Sequence, residues 1–488
     1  MSSPLDTLEP RLLWKHFDAI RSIPRPSKHE EKIAAHMEGW ARGRGFEVKR
    51  DAIGNVVIRV PATPGHEQAP TIILQGHLDM VCEKNSDVDH DFMVKGIDVA
   101  VEGDWVVARG TTLGADNGIG VATAMAIAED PSVVHGPLEL LCTIDEETGL
   151  TGAKKLDPSI IRGTIMLNLD TEEDGAVYIG CAGGVDTSGE MKVSRHRSLI
   201  GSIPVRIAVL GLRGGHSGLN IIENRGNAIR LATRVILAAL AAEIEIDLVS
   251  IDGGSKHNAI PREAFVVLRI DDSQLERLRA VAASCVAAFR EEFAATDPDL
   301  AVTVEPIADG NGVLRPLNVP VRDRMLHLLD AMPHGVLSMS RDVPGLVETS
   351  SNLAVVVTAG SSVRVVTSQR SSVMPALYAA QRQAVSVFDL AGASVSSNDP
   401  YPGWKPNPDS AIVRKAVAIY RDLFGSDPAV KAIHAGLECG LLIEKIPGMD
   451  AVSIGPEIRG AHSPEERVQI SSVQKFYRHT AAILKDLA

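Results

Sequence analysis

Residues 73–84 read "ILQGHLDMVCEK": an apolar run fit for a buried strand ends in glycine, then presents a histidine and an aspartate two positions apart. Side chains alternate along an extended chain, so His77 and Asp79 project to one side. Alone, such a pair reads as a surface turn. It gains weight because other apolar runs of strand length in this chain also end in ionisable residues.

Those runs include "FEVKR", "NVVIRV", "LELLCTI" and "TIMLNL", with the helical stretch "NGIGVATAMAIAED" before the third. Continuous apolar strands alternating with helices predict an α/β fold with a mostly parallel sheet covered on both faces. An earlier helix is expected to begin at "SKHE", with Ser27 as cap and Glu30 reaching back to it; Ile33, Met37 and Trp40 then share one face. From about Thr187 the pattern changes. Strand "IPVRIAVLGL", helix "NRGNAIRLATRVILAALAAEI", strands "DLVSIDGG" and "AFVVLRI", helix "SQLERLRAVAASCVAAFREEF" and strand "LAVTVEPI" give the order β-α-β-β-α-β of a split βαβ sandwich. A helix near "RDRMLHLLDAM" and strands near "LAVVVTAG" and "SVRVVTS" enlarge it. The segment "SVSSNDPYPGWKPNPDS" reads as a connector. Beyond it come an amphipathic helix ending at Gly425 and another buried strand, "MDAVSIG". The expected organisation is a discontinuous domain over 1–186 and 399–488, with an inserted α+β domain at 187–398.

The 488 residues carry 49 basic and 62 acidic side chains, a formal charge of −13, with no lysine- or arginine-rich block. A surface that tracks nucleic-acid phosphates is not expected. Cys82, Cys142, Cys181, Cys285 and Cys439 are scattered without C-x-x-C spacing, which argues against a disulfide framework and for a reducing, cytoplasmic compartment. The amino terminus lacks a basic segment followed by an apolar stretch, so no secretory signal is expected. The longest helix-like apolar run, "VILAALAA" at 235–242, falls far short of a bilayer span, and no membrane partner is expected.

In an open α/β sheet, ligands gather outside the carboxyl ends of the strands. After "TIILQG" come His77 and Asp79; after "LELLCTI" come Asp145, Glu146 and Glu147; after "TIMLNL" comes Asp170; after "AVSIGPEIRGA" comes His462. Asp116, in "LGADNG", opens the helical stretch. So many carboxylates at one rim stay ionised together only if cations neutralise them. Histidine mixed with carboxylate suits zinc, cobalt or manganese better than calcium. Asp116, Glu147 and Asp170 with a bridging hydroxide would balance two divalent ions. Asp79 and Glu146 are then left for chemistry. Adjacent extended residues point in opposite directions, so Glu147 can face a metal while Glu146 faces a water. Neither "GADNGIG" nor "GGHSG" fits a nucleotide loop or a serine nucleophile elbow.

The segments "GHLDMV", "LGADNGIG", "TIDEETG", "LNLD", "GGHSG" and "GAHSPEE" resemble the successive motifs of the M20 co-catalytic metallopeptidases. Within that family, "YIGCAGG", "KHNAIPREAF", "YPGWKP" and "HAGLECGL" look most like the aminoacyl-histidine dipeptidase branch. The resemblance implies a catalytic domain of the zinc-peptidase type and an inserted lid and dimerisation domain. It implies two divalent ions, zinc or else cobalt or manganese. His77 and Asp170 would bind one, Glu147 and His462 the other, and Asp116 would bridge them across a cis Asp116–Asn117 peptide. Glu146 would be the general base acting on a metal-bridging hydroxide, and Asp79 would orient His77. His216 would stabilise the oxyanion, within its own subunit or across a dimer. Asn258 and Arg370 resemble residues that grip a substrate carboxylate. Glu438 would meet a free substrate amine, and His434 would line the same pocket. The implied activity is hydrolysis of Xaa-His, carnosine-like and other unblocked dipeptides by a cytoplasmic homodimer. The alternatives are another M20-type amidohydrolase (tripeptidase, carboxypeptidase or aminoacylase) or a non-catalytic metal-binding protein, for which the spare Glu146 has no evident use.

Overall fold

A computed structural model describes residues 3–197, 201–308 and 315–488. The chain divides into two compact units: Met1–Gly180, Trp404–Ala432 and Leu437–Ala488 form the first, and Cys181–Gly403 with Ile433–Gly436 the second.

The first unit is built on an eight-stranded sheet. Its order is Glu47–Arg50, Val56–Val60, Leu138–Thr143, Ile72–His77, Ile165–Asn168, Asp450–Ser453, Ala176–Cys181 and Ala429–Ile433. The four strands from Leu138–Thr143 to Asp450–Ser453 run parallel, as expected of continuous apolar runs. Glu47–Arg50 and Val56–Val60 on one side, and Ala176–Cys181 on the other, pair antiparallel. The Ala115–Glu129 helix is buried at every position from Ala115 to Ile127, the all-round burial of a central helix. The Arg11–Arg21 helix packs on it and buries Leu13, Trp14, Phe17 and Ile20.

Parallel register brings the carboxyl ends level. His77 pairs with Thr143, Gln75 with Asn168, and Asn168 with Ser453. Every ionisable residue just past those positions therefore emerges at one edge. The strands are not wholly apolar there: Gln75, Asn168 and Ser453 form a buried hydrogen-bonded row across three neighbouring strands. A second, four-stranded sheet joins Val99–Glu102, Trp105–Ala108, Arg467–Gln469 and Ile458–Arg459, all antiparallel. It was not anticipated from the sequence, and its last hairpin carries His462 in the connecting loop.

Two further expectations are corrected. The Glu31–Gly43 helix does bury Ile33, Met37 and Trp40, but it has no side-chain cap. Ser27 instead donates to Asp79 at 2.7 Å, and Glu30 accepts from the Lys28 and Asp145 amides at 2.9 Å each. Within the supposed connector, Ser394–Ser397 is a strand paired with Gly183–Lys192.

The second unit contains a nine-stranded antiparallel sheet. Ala301–Pro306, Ser202–Leu210, Ala264–Asp271 and Asp247–Gly253 stand in the 4-1-3-2 order of the expected split βαβ, backed by helices Ala228–Ala241 and Leu275–Phe293. Ile207, Ile229, Val235, Leu248, Val266 and Phe289 belong to their shared core. Val347–Ala359, Ser362–Ser371 and Gly183–Lys192 extend the sheet. Because Gly183 already pairs with Ser371, this unit starts several residues before the expected 187. It also includes the 433–436 return, which no local pattern announces.

Candidate metal centre

The parallel edge of the first unit gathers His77, Asp79, Asp116, Glu146, Glu147, Asp170 and His462. His77 ends its strand fully buried, with Nε2 3.1 Å from Asp116 Oδ1 and 3.4 Å from Asp170 Oδ1. His462 Nε2 lies 3.2 Å from Asp116 Oδ2 and 3.1 Å from Glu147 Oε2. The two oxygens of Asp116 thus face two different histidines, and each histidine is backed by a second carboxylate. The Asp116–Asn117 peptide is cis.

Two ligands roughly 2.0–2.1 Å from a tetrahedral zinc are about 3.3 Å apart, close to these spacings. Glu147 Oε1 and Asp170 Oδ1 are buried acceptors without a hydrogen-bond partner, as a cation site requires. Electrostatics agree. Burial works against a charged His77, yet Asp170, Asp116 and Asp79 raise its pKa well above the usual value. Hydrogen bonds to Asp116 and Glu147 lift His462 to about 11. Burial opposes ionisation of Asp116, but His462 and His77 hold its pKa far below normal. The carboxylates draw positive charge to two places, one at each histidine. The donor set fits a pair of divalent ions, and three clusters of metal-competent atoms cover it: His77 with Glu146 and Glu147, His77 with Asp116 and Asp170, and Asp116 with Glu172 and His462. Glu172, two positions past Asp170 in "LNLDTEED", was missed in the sequence.

Asp79 holds the opposite side of His77, with Oδ1 3.4 Å from Nδ1. Its carboxylate also accepts from the amides of Glu146 and Glu147 at 3.0 and 3.2 Å. Burial would raise its pKa, but the neighbouring His77 brings it down to about 2. Among the described residues, the Glu146 carboxylate makes no hydrogen bond. Burial, opposed by His77 and reinforced by Asp170, Glu147 and Glu438, pushes its pKa well up. Glu438 is wholly buried; Oε2 accepts from Gln75 at 2.6 Å and from Thr143 at 2.5 Å, while Oε1 has no partner. Burial raises its pKa to about 7.

The other expected site residues lie in the second unit. His216 sits in a two-residue strand paired with Ala259 beside Asn258. Its Nδ1 accepts from the Gly218 and Leu219 amides at 3.2 and 3.1 Å, so the proton of the neutral ring is on Nε2. Burial, then the charges of Arg370 and His257, lower its pKa to about 4. Arg370 is buried, donating to Tyr401 Oη at 2.9 Å and to Ser217 Oγ at 3.4 Å. The Ser217 amide donates to the Asn258 carbonyl at 2.8 Å. His434 Nε2 and Ser350 Oγ are 2.7 Å apart. His434 belongs to the second unit and Glu438 to the first.

The family model for peptidase family M20/M25/M40 matches residues 73–486. The chain is 41% identical over 485 residues to the cytosol non-specific dipeptidase of Escherichia coli K12, covering 99% of each protein. The crystal structure of aminoacylhistidine dipeptidase from Vibrio alginolyticus superposes with a TM-score of 0.90 at 42% identity, covering 99% of this chain and 98% of that one. A Staphylococcus aureus tripeptidase shares the fold at a TM-score of 0.57 and 17% identity, over 98% of this chain and 99% of its own. With a family match over most of its length and a full-length relative at this identity, the chain belongs to peptidase family M20/M25/M40.

Proposed function

We propose that this protein is a metal-dependent dipeptidase that hydrolyses unblocked dipeptides, Xaa-His and carnosine-like substrates among them. The observation that carries the reading is the pair of Asp116 oxygens, each turned to its own histidine and second carboxylate, with Glu146 left unengaged beside them. The names of the relatives in Escherichia coli and Vibrio alginolyticus support the substrate class. The first of those names also supports a cytoplasmic location; among the described residues no helix is long and apolar enough to cross a membrane.

In this reading His77 and Asp170 would hold one ion, His462 and Glu147 the other, and Asp116 would serve both. Zinc suits these donors, with cobalt or manganese as substitutes. When bound, such ions supply Lewis acidity at the peptide carbonyl and bring the pKa of water toward neutrality. Glu146 takes the proton of the attacking water and returns it to the leaving amine. Asp79 orients His77 and, through two amides, the backbone that carries Glu146 and Glu147. His216, with its proton on Nε2, donates to the carbonyl oxygen as charge develops there. It does so from its own chain or from a second copy in a homodimer formed through the second unit. Arg370 and Asn258 hold the substrate carboxylate, the free Oε1 of Glu438 is kept for the amine, and His434 lines the substrate pocket.

The test is a panel of carnosine, Gly-Gly, Leu-Gly and their acetylated forms. It is run on chelated protein with single metals restored, and repeated with Glu146→Gln. Restored cleavage of the free dipeptides alone, abolished in Glu146→Gln while metal content is kept, is expected. Preference for the acetylated forms would replace dipeptidase by aminoacylase, and undiminished turnover by Glu146→Gln would remove the mechanism.

A further inference from the structure

Two buried charged residues outside the metal cluster clamp the segments that carry it. Glu466 lies in the same loop as His462, four residues on, and is 3% exposed. Its Oε2 accepts from the amides of Leu113 and Gly114 at 2.7 and 3.0 Å, and its Oε1 from those of Ala115 and Asp116 at 2.7 and 3.3 Å. Four successive N–H groups converging on one anion make a backbone nest, a concavity suited to negative charge. The nest exists because Gly114 is left-handed, at φ 68°. A Cβ there would stand 2.5 Å from Arg25 Nη2.

Arg25 is the second residue of the clamp. It is 1% exposed, and its guanidinium donates to the carbonyls of Leu78 and Asp79 at 3.0 and 2.6 Å, and to that of Gly114. It therefore ties the segment just past His77 to the turn before Asp116, and Glu466 ties that turn to the loop of His462. A carboxylate added to a cluster already rich in them is unfavourable unless it is held; four amide donors hold this one, and the charge of Arg25 attracts it.

We propose that Glu466, with Arg25 as its counterpart, is a positioning residue: it fixes the backbone of Asp116 so that both of its oxygens stand where two metal ions are shared, and couples that placement to His462. The inference rests on the two-metal reading above. It assigns Glu466 no contact with substrate.

Cobalt titration of the metal-free full-length protein, followed by visible absorption, separates the possibilities. Wild type comes first: if it binds no cobalt, the two-metal reading falls and this inference with it. In Glu466→Gln one oxygen is replaced by an NH2 group facing amide donors, and the nest opens. Cobalt affinity is expected to fall roughly 10- to 100-fold, the usual effect of removing a group that orients a ligand, and the absorption bands to shift. Glu466→Asp keeps the charge but is one methylene short, and is expected to lose less than Glu466→Gln. A merely structural role would lower the urea midpoint of the metal-free variants and leave affinity and spectrum of the folded protein unchanged; that result overturns the proposal. Should Glu466→Gln not fold, Glu466→Asp decides: wild-type cobalt affinity overturns the inference, and a reduced affinity with shifted bands supports it.

Discussion

Asp79→Asn isolates the role assigned to the carboxylate behind His77. Three donors converge on Asp79: Ser27 Oγ at 2.7 Å and the amides of Glu146 and Glu147 at 3.0 and 3.2 Å. An asparagine fills the same space with one acceptor oxygen and turns an NH2 toward at least one backbone donor. A buried donor left unsatisfied costs about 1–3 kcal/mol. The same change removes the negative charge 3.4 Å from His77 Nδ1, which makes Nε2 a stronger ligand. Loss of such a partner typically lowers metal affinity roughly 10- to 100-fold, or about 1.4–2.7 kcal/mol. The two figures agree in size, since both describe loosening of one edge of the site. Zinc affinity is read by competition with a chromophoric chelator, and turnover at saturating zinc reads the displacement of Glu146 separately. Both are expected to fall. Zinc affinity within twofold of wild type together with normal turnover would refute the reasoning.

Other outcomes follow from the same geometry. Arg370→Lys cannot keep both the Tyr401 and Ser217 contacts; losing a charge-assisted hydrogen bond of about 1.5–3 kcal/mol should raise KM for free dipeptides at least tenfold and leave amidated ones unaffected. Equal effects on both substrates would exclude a carboxylate contact. Removing metal with chelator should lower the urea stability of the protein by about 4 kcal/mol relative to zinc at 1,000 times its Kd; a chelator-insensitive unfolding curve would contradict a built metal site. In the second unit, burial and then Arg230 lower the pKa of His334 to about 3, and its Nδ1 accepts from the Leu353 amide at 3.3 Å. The folded pKa is below the unfolded one, so this contribution is whole above pH 6.5 and is lost as pH falls toward 3, at up to about 1.4 kcal/mol per pH unit. His334→Gln should flatten the dependence of unfolding free energy on pH between 7 and 5, and an unchanged slope would show that His334 does not titrate there.

Much of the site was legible because its ligands are announced locally. An apolar run that ends in His-x-Asp, or in consecutive acids, states both that a strand stops and what stands at its end. His77, Asp79, Glu146, Glu147 and Asp170 could each be found from a window of ten residues. The alternation of strands and helices likewise gave the class, because side-chain period and strand length are local properties. Glu172 lay within reach of the same reasoning but in a run of acids that reads as solvated surface.

What the linear order could not supply was partnership. Ser27 and Glu30 have the spelling of a helix cap, yet both are taken by groups across the fold, Asp79 among them, because a buried carboxylate in need of donors outcompetes a solvated helix end. Ser394–Ser397 reads as linker and becomes an edge strand once Gly183–Lys192 is beside it. Glu466 carries no local signal of its role in "SPEE"; its meaning comes from Leu113, 353 residues earlier. Composition and period determined which segments are strands, which are helices, and which residues stand at their ends. Only the tertiary structure decided which of those ends are neighbours and which buried charges hold them, because desolvation and hydrogen-bond satisfaction depend on atoms that are close in space and distant along the chain.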